Sequence, residues 1–230
     1  MTTGSPRTLP WEVFEPLELD PILRAALDAF NEQGFHGAPV REIAARVGVA
    51  VPTLYYHHGS KQGLLLALLR VSMTDLTART ELALTEAGDD PVDRVADLVD
   101  CTARFMCHRQ RLAWLDAQMR YLDDAAREVY AAPRKAFELR WLGELSAGTD
   151  TGALEVDHPV DTTRALLGTL QSIATWYRPD GELDPAEIGA RHVAFALDAL
   201  RVTPARRDRA VERSRSRPEP SSHGTARATA

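Results

Sequence analysis

Two cysteines and seven histidines are the side chains of this 230-residue chain best suited to act as nucleophiles or metal ligands, and their spacing argues against both roles. His57 and His58 are adjacent, so on a helix they project about 100° apart and cannot hold one ion without other ligands. Cys101 and His108 are seven apart and share a helical face, with Cys107 next to His108. A thiolate–imidazole site is conceivable there, but a small buried cysteine pair beside a pocket histidine is the better reading. The chain contains no G-x-S-x-G, P-loop, H-E-x-x-H or G-x-G-x-x-G motif. It reads as non-enzymatic, with no metal site and no cofactor.

A different chemistry gathers in the run Thr53-Leu54-Tyr55-Tyr56-His57-His58-Gly59-Ser60-Lys61. The elements that position it lie between Asp20 and Leu69. Asp20 suits an N-cap and Pro21 the first helical position. Ile22, Leu23, Ala26, Leu27 and Phe30 then recur at helical spacing until Gly34, which ends the helix. A second short helix is predicted from about Val40, with Ile43, Ala44 and Val47 inward, and Gly48 supplies the turn. A third runs from about Val51 to His57, with Leu54 facing the other two. Helix, glycine turn, helix is the helix-turn-helix arrangement, whose second helix lies in the DNA major groove.

The string TLYYHHGSK, following GV and a first helix that ends in NEQGF, resembles the TetR family of bacterial transcriptional repressors. The motif resemblance covers about residues 20–70. It implies that Tyr55, Tyr56 and Lys61 grip phosphates, with His57 near a phosphate or a base edge, and that Arg41, Val51, Pro52 and Thr53 share the DNA-facing set. Two departures matter. Ala38-Pro39 and Ala50-Val51 stand where the family usually has hydroxyl N-caps, a loss on the order of 1 kcal/mol each. Val51 and Pro52 replace the usual polar or small residues, and His58 a usual phenylalanine, so the operator sequence cannot be inherited from relatives.

The net charge of −6 opposes a nucleic-acid partner, because DNA affinity rests on neutralised phosphates. Its distribution removes much of the objection. Residues 203–230 hold seven arginines against three acidic residues, net +4, leaving −10 on the rest. Between Val40 and Lys61, Arg41, Arg46 and Lys61 outnumber Glu42. An acidic body with locally positive reading heads favours site selection over blanket binding. At 44% hydrophobic composition the chain can build an ordinary core. It has no apolar run long enough to span a membrane and no secretory signal, and the sparse cysteines suit the cytoplasm.

The expected architecture is all-α. An arm covers residues 1–18, a helix-turn-helix DNA-binding domain 19–66, a helical-bundle ligand-binding and dimerisation domain 67–202, and a disordered basic tail 203–230. Beyond helix four (about Ser60 to Thr85), helices are predicted at about Val92–His108, Leu112–Leu122, Asp124–Leu145, Val160–Tyr177 and Pro185–Leu200, with a loop over Ser146–His158. The last two helices are more apolar than one buried face requires. Leu166, Leu170, Ile173 and Phe195 are therefore placed at a homodimer interface, which in the family sets two recognition helices about one DNA turn apart.

The resemblance also puts a small-molecule effector among helices five to eight. Phe105, His108, Trp114, Gln118, Tyr121, Arg140, Trp141, Gln171 and Trp176 lie there, and aromatic walls with a few polar groups suit an apolar ligand with one polar or anionic end. The string SIATWYRPDG, residues 172–181, is similar to the end of helix eight in members that sense acyl-CoA thioesters, which implies a role for Arg178. The expected function is a dimeric repressor of a palindromic operator, released by an acyl-CoA-like effector. The alternatives are a multidrug-type sensor, and a helical bundle or enzyme with a vestigial helix-turn-helix.

Overall fold

The computed structural model describes residues 9–218, and among these the chain is all-helical. Asp20 caps α1 (Pro21–Gly37) by accepting from the amides of Ile22 and Leu23 at 2.9 and 3.1 Å. Gly34, with φ 71°, breaks the helical geometry, and three further helical residues carry Phe35 into the core. Then come α2 (Val40–Arg46) and α3 (Val51–His58), neither with a side-chain cap, as Pro39 and Ala50 at those positions predict. Ser60 caps α4 (Lys61–Ala87) through the Gly63 amide. The N-terminal half of α4 completes the core of this head: Leu64, Leu65, Leu68 and Leu69 pack against Phe30, Ile43 and Leu54.

The C-terminal half of α4 belongs to a second core built around α5 (Pro91–His108). Fourteen of the eighteen α5 residues are buried, Asp97, Asp100 and Arg104 among them. The predicted helix six is two pieces: a short α6 (Gln110–Ala113) and a 3-10 helix, η1 (Trp114–Tyr121). Next, α7 (Asp124–Asp150) runs past the predicted end at Leu145. Gly148, expected to break it, instead makes room for the chain that folds back, since a Cβ there would stand 2.4 Å from Leu154 Cδ1. Helices α8 (Pro159–Trp176) and α9 (Pro185–Ala199) close the bundle. No helix among the described residues is long and apolar enough to cross a membrane.

Residues 204–218 depart from expectation. Residues 204–216 form α10 (Pro204–Ser216), packed on α5 and α9 with Ala210, Val211 and Ser214 buried. The arginines read as solvating a disordered tail meet acidic partners instead: Arg206 pairs with Asp90 at 2.6 Å, Arg213 with Asp97 at 2.5 Å, and Arg217 with Asp97 at 2.7 Å. Deeper still, Arg104 on α5 bonds both Asp100, at 2.9 Å, and the carbonyl of Ser214, at 2.7 Å. Burial pushes the Asp100 carboxyl above its ordinary value despite Arg104 and Arg217. The expectation for residues 219–230 lies outside the described residues. At the other end Trp11 is fully buried against Ala83 and Cys101, with the Arg217 guanidinium over its ring at 4.5 Å.

Candidate functional site

The turn between α2 and α3 passes through Gly48 at φ 68°, and Leu54 inserts into the core as the inward anchor of α3. The opposite face then points outward. Tyr56 is 86% exposed and Tyr55 43%, with Pro52, Thr53 and His57 exposed and Val51 half-buried. The Tyr56 ring meets that of His57 edge-on, 5.3 Å between centroids. Arg41 is exposed on α2 beside this face. Arg46, counted as part of the positive surface, is engaged internally: it pairs with Glu32 at 2.6 Å and Glu42 at 2.5 Å, and its hydrogen bonds hold both carboxyls below their ordinary range. Lys61 Nζ donates to the His36 carbonyl at 3.3 Å and lies 4.9 Å from the Phe35 ring centroid. Partial burial holds its ammonium below the usual lysine value.

A cavity of about 480 Å³ opens between α4, α5, η1, α7 and α8. Met73, Leu76, Phe105, Met106, Phe137 and Leu167 give it an apolar lining. One end is polar: Asp116 of η1 accepts from Tyr130 Oη at 2.7 Å and from Gln171 of α8, and faces Arg134 at 3.3 Å. Burial, reinforced by Asp116, pushes the Tyr130 phenol up, so it stays protonated as a donor. Arg134, Lys135 and Arg164 bring three cations to the same wall. Glu138 links two of them, at 3.3 Å to Lys135 and 3.0 Å to Arg164. Burial pushes Glu138 the other way, yet these bonds hold its carboxyl below the ordinary range. The Thr102 hydroxyl, on the cavity wall and buried, has no hydrogen-bond partner among the described residues.

Of the residues expected at the ligand, Phe105 and Gln171 line this cavity. The others do not. Trp141 is fully buried in the body core, one turn beyond Phe137. His108 stacks on Phe14 at 4.3 Å, Gln118 is buried elsewhere on η1, and Arg140 pairs with Glu81 and Glu144. Trp114 lines a cleft between η1 and α8 that adjoins the cavity and shares Asp116, Met119, Gly168 and Gln171 with it. Tyr121 stacks on Phe35 at 5.5 Å and meets His36 edge-on at 4.2 Å. Trp176 is 45% exposed, stacked 6.3 Å from His192, and Arg178 is exposed in the turn after α8. Aromatic content therefore did not point to Asp116, Tyr130, Arg134, Lys135 and Arg164, which form the polar part of the cavity lining. A signal for them existed: Tyr130, Arg134 and Phe137 on α7, and Arg164, Leu167, Gly168 and Gln171 on α8, repeat at helical spacing.

The expected dimer surface needs a similar correction. Leu166, Leu170 and Ile173 are buried in the core of their own chain, because α8 packs against both α5 and α7. Phe195, 53% exposed, on α9 and Val160 and Trp176 on α8 are the exposed large apolar side chains of these two helices.

Residues 22–68 match the bacterial regulatory proteins of the tetR family, and residues 88–200 match the tetracyclin repressor-like C-terminal domain. The HTH-type transcriptional repressor KstR2 of Mycobacterium tuberculosis (strain ATCC 25618 / H37Rv) is 27% identical over 188 residues, which cover 78% of this chain and 90% of that protein. Among solved structures, the TetR family regulator PfmR from Thermus thermophilus superposes with a TM-score of 0.70 at 26% identity, covering 80% of this chain and 98% of that one. AibR in complex with isovaleryl coenzyme A and operator DNA shares the fold, with a TM-score of 0.68 at 22% identity over 79% of this chain and 97% of that one. With its head and its body matched to the two parts of one kind of regulator, the chain belongs to the tetR family of bacterial regulatory proteins.

Proposed function

We propose that this chain is a dimeric transcriptional repressor that reads a two-fold operator through α3 and is released by an amphipathic acid, an acyl-CoA thioester being the best-fitting class. The observation that carries the reading is the double engagement of η1. Asp116 and Met119 of that one segment form cavity wall, while Tyr121 at its end is wedged against Phe35 and His36 of the head, next to Lys61. Gln62 at the start of α4 donates to the Tyr121 carbonyl at 3.1 Å, which fixes η1 to the helix that carries the head. A ligand that shifts η1 therefore shifts the support of α3. Only differential affinity for the two arrangements can do this, and moving a 1:99 equilibrium to 99:1 takes about 5.5 kcal/mol of it.

The ligand class follows from the lining. An acyl chain suits the methionine, leucine and phenylalanine wall, and Arg134, Lys135 and Arg164 suit phosphates or a carboxylate. AibR, which shares the fold, has been seen with isovaleryl coenzyme A and operator DNA; for this chain the support is its own cavity. Three methionines, Met73, Met106 and Met119, also adapt readily to varied shapes, which favours a multidrug-type sensor as the second reading.

The test starts by recovering the operator from fragmented genomic DNA with the purified protein. The complex is then titrated with CoA thioesters, free acids and neutral hydrophobic drugs while release is followed by fluorescence anisotropy. The thioesters should release the protein, and Arg134→Ala should demand roughly tenfold or more of them, the scale of one lost charge-assisted contact. Release by neutral drugs alone, with Arg134→Ala behaving as wild type, selects the multidrug reading.

A further inference from the structure

The segment before α1 is held at two places on two different bodies. At one place Phe14 lies over the Arg79 guanidinium of α4 at 3.9 Å and stacks on His108 of α5 at 4.3 Å. Arg79 also donates to the carbonyls of Trp11 and Val13 at 2.8 and 2.9 Å, and Arg109 donates to that of Glu15 at 2.7 Å. Asp75 ties the two arginines together, at 2.8 and 2.9 Å, so Phe14 seats on a platform made jointly by α4 and α5. At the other place Leu17 and Leu19, partly buried, pack against the cluster that joins the head to Leu112 and Leu115, and Asp20 caps α1.

Between these anchors the chain crosses a gap. Pro16, Leu17 and Leu19 roof a cleft of about 460 Å³ whose far walls include Leu27, Cys107 and Leu112. Six peptide units separate Phe14 from Asp20, a reach of roughly 20 Å when fully extended, part of which is taken up by the turn that the Leu19 amide closes on the Leu17 carbonyl at 3.1 Å. The platform adjoins the cavity: Met73 and Leu76 of α4 and Phe105 and Met106 of α5 line it, while Asp75 and Arg79 of α4, His108 of α5 and Arg109 just after α5 hold the strap. A sliding of α4 against α5 would alter both.

We propose that residues 11–19 form an intramolecular tether that fixes the reading head to the α4–α5 platform, with Phe14 as the positioning residue that senses the register of those two helices. The proposal rests on the operator-reading function given above. A tether acts by its length, whereas ordinary packing acts by its contacts, and that difference gives the test.

Inserting Gly-Ser-Gly-Ser after Pro16 in the full chain slackens the segment while leaving every contact of residues 11–15 possible. Operator affinity should fall about fivefold, as when the competent arrangement drops to about a fifth of the population. The slope of log affinity against log salt should not change, because the strap adds no phosphate contact. Phe14→Ala should reproduce the loss and Phe14→Tyr should restore it. Hydrogen exchange of the α1 amides without DNA should quicken in the insertion variant, a readout that stands even if no operator is ever found. Unchanged or tighter binding, unchanged α1 exchange, or a salt slope that flattens with the insertion would each overturn the proposal. Should Phe14→Ala fail to fold, the insertion variant alone decides the matter.

Discussion

Tyr56 stands almost wholly in solvent on α3 while Leu54, two residues before it, is fully buried. One helix thus separates its stabilising side chain from a side chain with no structural task. Tyr56→Ala should leave the melting temperature within a degree or two, as substitutions away from packed features do, yet weaken operator binding by roughly 1–3 kcal/mol, the range of a good base or backbone contact. Circular dichroism and fluorescence anisotropy check the two halves of that expectation, and equal binding by the variant would take Tyr56 out of the interface. Lys61 differs because it already serves the His36 carbonyl and the Phe35 ring. If its ammonium also reaches a phosphate, Lys61→Ala should make the log-log salt slope less negative by about 0.9 per contact, hence about twice that per dimer.

At the scale of elements, α10 is where composition misled. Residues 203–230 are rich in arginine and serine, which on local grounds reads as solvated chain. What folds residues 204–216 is the row Asp90, Asp93, Asp97 and Asp100, some hundred residues away on and before α5. No local window contains both partners. The helix-turn-helix was legible for the opposite reason: its turn glycine, inward Leu54 and aromatic run lie within one short segment at fixed spacing. The cavity fell between these cases. Its helical stripes on α7 and α8 were visible, but three tryptophans drew attention to positions that lie in a neighbouring cleft (Trp114), in the core (Trp141) and on the surface (Trp176). Deleting residues 204–230 should therefore lower the melting temperature markedly. Asp97 would lose Arg213 and Arg217, and the surface of α5 and α9 now covered by Ala210 and Val211 would meet water. A calorimetric scan indistinguishable from that of the full chain would show the helix to be dispensable.

For the whole molecule, the proposed dimer would ask α8 and α9 to serve the chain's own core and a second copy with different residues. Phe195→Asp, on the exposed face, should yield folded monomers in light scattering where the parent gives twice the chain mass. Leu170→Asp should unfold the chain before its assembly can be measured, since even truncation of such a buried leucine to alanine costs about 2–5 kcal/mol. Folded dimers from both variants would place the interface elsewhere. The 3-10 winding of η1 gives such a dimer a mechanical scale. Eight residues span roughly 16 Å as a 3-10 helix but about 12 Å as an α-helix, because the rise per residue drops from about 2.0 to 1.5 Å. Rewinding this one segment would thus draw its Tyr121 end toward its Trp114 end by about 4 Å. Repeated in the two subunits of the proposed dimer, it would change the spacing of the heads by an appreciable part of the ~34 Å repeat on which two half-sites are set. The winding of a single segment, whose Asp116 and Met119 line the cavity and whose Tyr121 meets the head, would then set the stroke.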